Sequence, residues 1–171
     1  MRLLERCRSI LGRAIMAGII VPPAILASVA GVNAAAKDAE IIVLTQTPCQ
    51  FIESEKGVDH GFKSAKKADC EDINRRTGAA RLAKFRIIEL KPGKYVFRVT
   101  NNNVPYELGI WVRSEGYDWR NPLHRITKTS VSGGGLVTGK TQDYAVTLDA
   151  GEYLYSCPLN TTPDYRVIVR E

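Results

Sequence analysis

From Glu40 onward the chain alternates short apolar runs with polar corners. "EIIVLTQ" (40–46) is rich in β-branched residues and predicts a first strand. "FRIIELK" (85–91) stops at Pro92-Gly93, a turn pair, and "KYVFRVT" (94–100) returns from it. An "NNN" corner precedes "PYELGIWVR" (105–113), and the loop "SEGYDWRNPL" leads to "HRITKTSV", where His124 is expected to begin a strand. "SGGG" is then expected to break the chain, as part of a flexible hairpin connection. "QDYAVTL" (142–148) runs into the turn "DAGE", and "YLYSC" and "YRVIVR" complete the series. Strands at this spacing, separated by Gly, Pro and Asn corners, predict an all-β sandwich. One stretch departs from the pattern. "CEDINRRTGAARLAK" (70–84) contains helix formers, with Gly78 as a weak point, and predicts one short helix or two helical turns.

Side chains alternate along a strand with period two, so parity assigns faces. Tyr153, Tyr155 and Cys157 share one face. Tyr165, Val167 and Val169 share an inner face, with Arg166 and Arg170 opposite. Cys157 is therefore expected to point inward at its strand end. Over 105–113, Tyr106 groups with Leu108, Ile110 and Val112, a sensible core face, whereas Glu107 groups with Gly109, Trp111 and Arg113. That parity sends Glu107 to the rim, to hydrogen-bond loop backbone.

The first 36 residues read differently. A basic start (Arg2, Arg6, Arg8, Arg13), an apolar run from Ala14 to Val32 and the small-residue exit Ala34-Ala35-Ala36 have the layout of a secretory signal peptide. Cleavage is expected after Ala36, with Ala34 as an alternative, leaving an exported, periplasmic or secreted chain. An uncleaved membrane anchor is the competing reading, although Pro22-Pro23 interrupts a continuous helix there. The expected organisation is thus 1–36 signal, 37–84 first strand with a disulfide loop and short helix, and 85–171 the sandwich core, with 37–171 as one domain. Setting aside Arg2, Arg6, Arg8, Arg13 and Glu5 lowers the net charge from +6 to +3. That is ordinary solubility and not a nucleic-acid footprint. In an oxidising compartment, Cys49, Cys70 and Cys157 make one pair and one leftover. Cys49 and Cys70 flank a polar stretch with little apolar content to hold it, so a Cys49–Cys70 disulfide is expected and Cys157 is the lone thiol.

Two segments, "IIELKPGKYVFRVTNNNVPYELGIWV" and "VTLDAGEYLYSCPLNTTPDYRVIV", carry a Pro-Gly turn, an Asn corner before a Pro, and the pattern L-x-x-G-x-Y-x-Y-x-C-P. In these the chain resembles the cupredoxins, small Greek-key β-sandwiches that carry mononuclear copper in plastocyanin-like electron carriers. The resemblance covers about 85–171 and implies a cupredoxin-like Greek-key fold with an N-terminal disulfide-bounded insertion. The family's copper site takes a histidine after the Asn corner, the loop cysteine, a histidine three residues later and an axial methionine. The matching positions here are Tyr106, Cys157, Asn160 and Tyr165. Cys157 alone retains the family's ligand type; thiolate and imidazole suit copper, while phenol and amide do not. Glu107 beside the corner offers a substitute ligand of the kind red-copper relatives use, and parity opposes it. His60 and His124 are the remaining histidines of residues 37–171.

The expectation that follows is a non-enzymatic binding or accessory module with no cofactor, its copper centre absent or altered. The partner would be a protein or small ligand met at the sandwich end, with Tyr117, Trp119 and the "SGGGLVTG" loop as exposed candidates; nucleic acid is not expected, and membrane contact only through an uncleaved signal. The alternative is an atypical copper or other metal protein using Cys157 in electron transfer or metal handling. An enzyme has little support: no nucleophile elbow surrounds the serines, and "SGGGLVTGK" has the wrong spacing for a phosphate loop.

Overall fold

The computed structural model describes residues 39–171. The expected signal segment and its cleavage points lie outside the described residues. Nine strands form two sheets. The first, in the order β2-β1-β4-β7, is built from β1 (Glu40–Thr47), β2 (Gln50–Phe51), β4 (Gly93–Asn101) and β7 (Thr141–Leu148). The second runs β3-β9-β8-β5-β6, from β3 (Ile88–Leu90), β5 (Leu108–Ser114), β6 (Ser130–Leu136), β8 (Gly151–Ser156) and β9 (Tyr165–Val169). The pairs β1/β4 and β3/β9 are parallel, and the other pairs are antiparallel.

Parity builds the core. Tyr95, Phe97 and Val99 of β4 face Leu108, Ile110 and Val112 of β5, and the inner residues of β7, β8 and β9 complete the layer. Tyr155 sits at its centre, with ring centroids 5.5 Å from Tyr165, 5.7 Å from Phe51 and 6.0 Å from Phe97. Rings at these separations pack as favourable tilted pairs.

The sandwich has two structurally different ends. At one, β1 and β4 finish (Gln46 opposite Asn101) and β8 hands over to the Cys157 loop, which returns as β9. At the other, the turn 149–150 joins β7 to β8, residues 91–92 join β3 to β4, and β1 begins at Glu40. A connection from β5 to β6 crosses that second end and carries a one-turn helix, α2 (His124–Thr127).

Two expectations need correcting. His124 begins α2 and not a strand, because residues 119–127 close on themselves through successive turn hydrogen bonds. The "SGGG" run does not break the chain; it is the middle of β6, paired with β5. Glycine is needed there for close approach: a Cβ on Gly109 would lie 1.9 Å from the Gly133 oxygen, and one on Gly133 would lie 2.5 Å from the Tyr144 ring. The register shifts between Leu108 and Ile110, and Gly135, at φ +83°, absorbs the bulge. Of the two forms expected for the helical segment, the structure has the single helix: α1 (Lys67–Leu82, 16 residues) runs through Gly78 without interruption. Its inward face, Cys70, Asn74, Gly78 and Arg81, follows helical spacing yet carries no large apolar side chain. Tertiary anchoring thus overrides the propensity cost of Gly78.

Candidate functional site

Cys157 leaves β8 into a loop that closes on itself. The Cys157 N–H donates to Thr162 Oγ1 at 3.0 Å, and the Thr162 N–H donates back to the Cys157 carbonyl at 3.3 Å. The Cys157 sulfur accepts the Asn160 N–H at 3.2 Å and is 1% exposed. Burial pushes the thiol up, partly offset by the N–H groups of Asn160, Gly109 and Leu159 and by the Gln46 amide. A thiol raised in this way stays protonated at neutral pH, so it is a poor nucleophile.

Asn160 is fully buried and its side-chain amide is fully engaged. Its Oδ1 accepts the Cys49 N–H at 2.9 Å and the Tyr106 hydroxyl at 3.3 Å; its Nδ2 donates to the Thr47 carbonyl at 2.8 Å and to Gln46 Oε1 at 3.4 Å. The sulfur of Cys70, bonded to Cys49, lies 3.3 Å from the same Oδ1. One amide therefore ties the Cys157 loop to the end of β1 and to the disulfide. Gln46 extends the network by donating to the Gly109 carbonyl at 2.7 Å.

Tyr106 is placed by the Asn corner. Asn101 is buried and bonds the carbonyls of Val104, Tyr106 and Leu136 and the Val104 N–H, fixing the turn into β5. The Tyr106 hydroxyl, 2.8 Å from Ser64 Oγ, joins the insertion to the sandwich end. Burial raises its pKa, against the Ser64 hydrogen bond. Glu107 is exposed on the rim and accepts the Gly135 N–H at 2.7 Å, stitching the bulge of β6.

Tyr165 belongs to a second network. Its hydroxyl donates to Glu55, a buried carboxylate just after β2, and also receives Arg81 Nη2 at 3.4 Å. Arg81 Nε lies 3.0 Å from both Glu55 oxygens, while its other nitrogens reach Asn74 Oδ1 at 2.6 Å and the Cys49 carbonyl at 2.9 Å. His60 Nε2 is 2.6 Å from Glu55 Oε2. Burial alone would raise the Glu55 pKa; the bonds from Arg81, Tyr165 and His60 outweigh it and hold the carboxyl below its ordinary value. The first network thus gathers Tyr106, Cys157, Asn160 and the Cys49–Cys70 disulfide, and Tyr165 hydrogen-bonds elsewhere.

These residues do not fit a copper ion. Copper favours thiolate and imidazole. Beside the one sulfur, the neighbours offer an amide and a phenol whose polar atoms are already spent. His60 is committed to Glu55, and His124 Nδ1 accepts the Asp118 N–H at 2.9 Å at the opposite end of the sandwich. Among the described residues, no three His, Cys, Asp or Glu side chains form a group able to hold a metal.

Sequence reasoning missed Gln46, Ser64, Glu55 and Arg81. Gln46 had a signal: it follows Ile42 and Leu44 on the inward parity of β1, where a polar residue demands partners. Glu55 and Arg81 had none, since each stands in a polar stretch that looks solvated.

The chain is thus a two-sheet β-sandwich with an Asn corner and a cysteine loop at one end, carrying a disulfide-anchored helix. Among solved structures it is similar to auracyanin B (TM-score 0.47, 11% identity, covering 78% of this chain and 91% of that one). It is also similar to reduced rusticyanin (TM-score 0.42, 14% identity, 78% and 80% covered) and to part of a multi-copper oxidase from Pseudomonas thermotolerans (TM-score 0.40, 16% identity, 82% and 33% covered). No family model matches the chain, and no curated protein does.

Proposed function

We propose that this chain is an exported, non-enzymatic binding or accessory module: a cupredoxin-like sandwich in which internal hydrogen bonds occupy the end where the family holds copper. The observation that carries the reading is the Asn160 side chain. It spends every strong donor and acceptor on Cys49, Thr47, Gln46 and Tyr106, so the Cys157 loop is a structural closure. Its partner is a protein or a small ligand. For a small ligand, the open cleft of about 640 Å³ beside α1, lined by Lys56, His60, Phe62, Arg76 and Lys84, suits an anionic molecule with an apolar part.

Thiol titration of the native protein tests the closure. Cys157 should stay unreactive toward an aromatic disulfide reagent until denaturant is added, then give one thiol per chain of residues 37–171. Immediate reaction, blocked by one equivalent of copper, would favour the alternative metalloprotein with Cys157 as ligand.

A further inference from the structure

The connection between β5 and β6, residues 115–129, leaves three large apolar side chains in solvent. Trp119 is 58% exposed, Leu123 66% and Ile126 84%, all within eight residues. They do not hold the loop in place. Polar contacts do: Arg125 donates twice to the Trp119 carbonyl (3.2 and 3.0 Å), the Asp118 N–H donates to His124, Thr127 Oγ1 bonds the Leu123 carbonyl and Lys128 Nζ the Glu115 carbonyl. Tyr117 packs edge-on against Trp111 at the loop's base. A braced loop that presents apolar side chains it does not use for its own folding is shaped for contact with something else.

Its charges indicate what. Arg125 and Lys128 are held by backbone carbonyls, which do not neutralise them, and the Arg120 guanidinium lies 5.3 Å from the Trp119 ring centroid. Of the loop's own carboxylates, Glu115 pairs with Arg166 at 2.9 Å, while Asp118, which accepts the Arg120 backbone N–H at 2.9 Å, keeps its charge; the loop still sets Arg120, Arg125 and Lys128 against that one carboxylate. Tryptophan and long aliphatic side chains set among arginines and a lysine match the interface of an anionic bilayer. Exposure this high means that each side chain stands clear of its neighbours, which suits insertion among fluid lipid better than docking into a shaped protein pocket. The chain also enters the sandwich at this end, where β1 begins at Glu40.

We propose that the 115–129 loop is a membrane-docking element, inserting Trp119, Leu123 and Ile126 into an anionic lipid surface with Arg120, Arg125 and Lys128 at the headgroups. The proposal goes beyond the module reading and does not depend on the state of the Cys157 end.

The test is co-sedimentation of residues 37–171, which contain every described strand and the whole core, with vesicles of equimolar phosphatidylglycerol and phosphatidylcholine, and with phosphatidylcholine alone. Binding is expected to the anionic vesicles and to weaken with salt. Ile126→Glu or Leu123→Glu, each at an exposed position, should lower vesicle affinity about tenfold or more without changing the melting temperature. Val137→Ser, at an exposed position on the opposite end, should leave affinity unchanged. Failure to sediment, binding indifferent to lipid charge, or binding unaffected by either glutamate would overturn the proposal. So would a lipid-free dimer that Ile126→Glu dissolves while vesicles bind nothing, which would assign the loop to a second copy of the chain.

Discussion

Asn160 shows how much one side chain decides at this end of the fold. Replacing it with alanine strips partners from the buried Cys49 N–H and the Thr47 carbonyl, at roughly 1–3 kcal/mol for each group left unsatisfied. Asn160→Ala should therefore lower the urea midpoint markedly and let Cys157 react in the native state; an unchanged midpoint and a silent thiol would show that the amide is dispensable. The sequence makes part of this legible. Parity places Cys157 on the inner face with Tyr153 and Tyr155, and sets Glu107 apart from the core face that begins at Tyr106. Asn160's partners are another matter, because Cys49 and Thr47 stand more than 100 residues earlier in the chain. No local pattern predicts a contact made by tertiary folding.

At the scale of elements, the strands were legible because apolar alternation and turn residues agreed along them, as in β4 and β9. Elements fixed by polar or steric contacts were not. The glycines of β6 look like a breaker until Gly109 and Tyr144 are seen to need their missing side chains. Helix α1 shows no apolar stripe because it docks through Cys70, Asn74 and Arg81. Its ionic anchor is the buried Glu55–Arg81 pair, and breaking such a pair costs about 3–5 kcal/mol. The pair also sets an acid limit. Glu55 has a folded pKa below its ordinary 4.5, so its contribution is complete above 4.5 and is lost as pH falls through the folded value. Denaturant titrations at pH 7 and pH 3 should show Glu55→Gln less stable at pH 7 and losing less on acidification than the native chain. Equal acid losses in the two proteins would remove Glu55 from the account.

For the whole molecule, two ends of one sandwich have diverged. The Cys157 end is closed by Asn160, Gln46, Tyr106 and the disulfide, while the far end presents Trp119, Leu123 and Ile126 to solvent. Fold class was visible in the sequence because it rests on repeated alternation across many strands. The condition of the site was visible only as missing ligands, since closure depends on hydrogen bonds among distant residues. The central claim is that this closed end does not take copper, and a visible absorption spectrum tests it most directly. Residues 37–171, oxidatively folded and purified without chelator, are offered one equivalent of copper(II), and retained metal is measured after gel filtration. The account predicts a colourless protein with no retained copper. An intense thiolate-to-copper band that Cys157→Ser abolishes would contradict it.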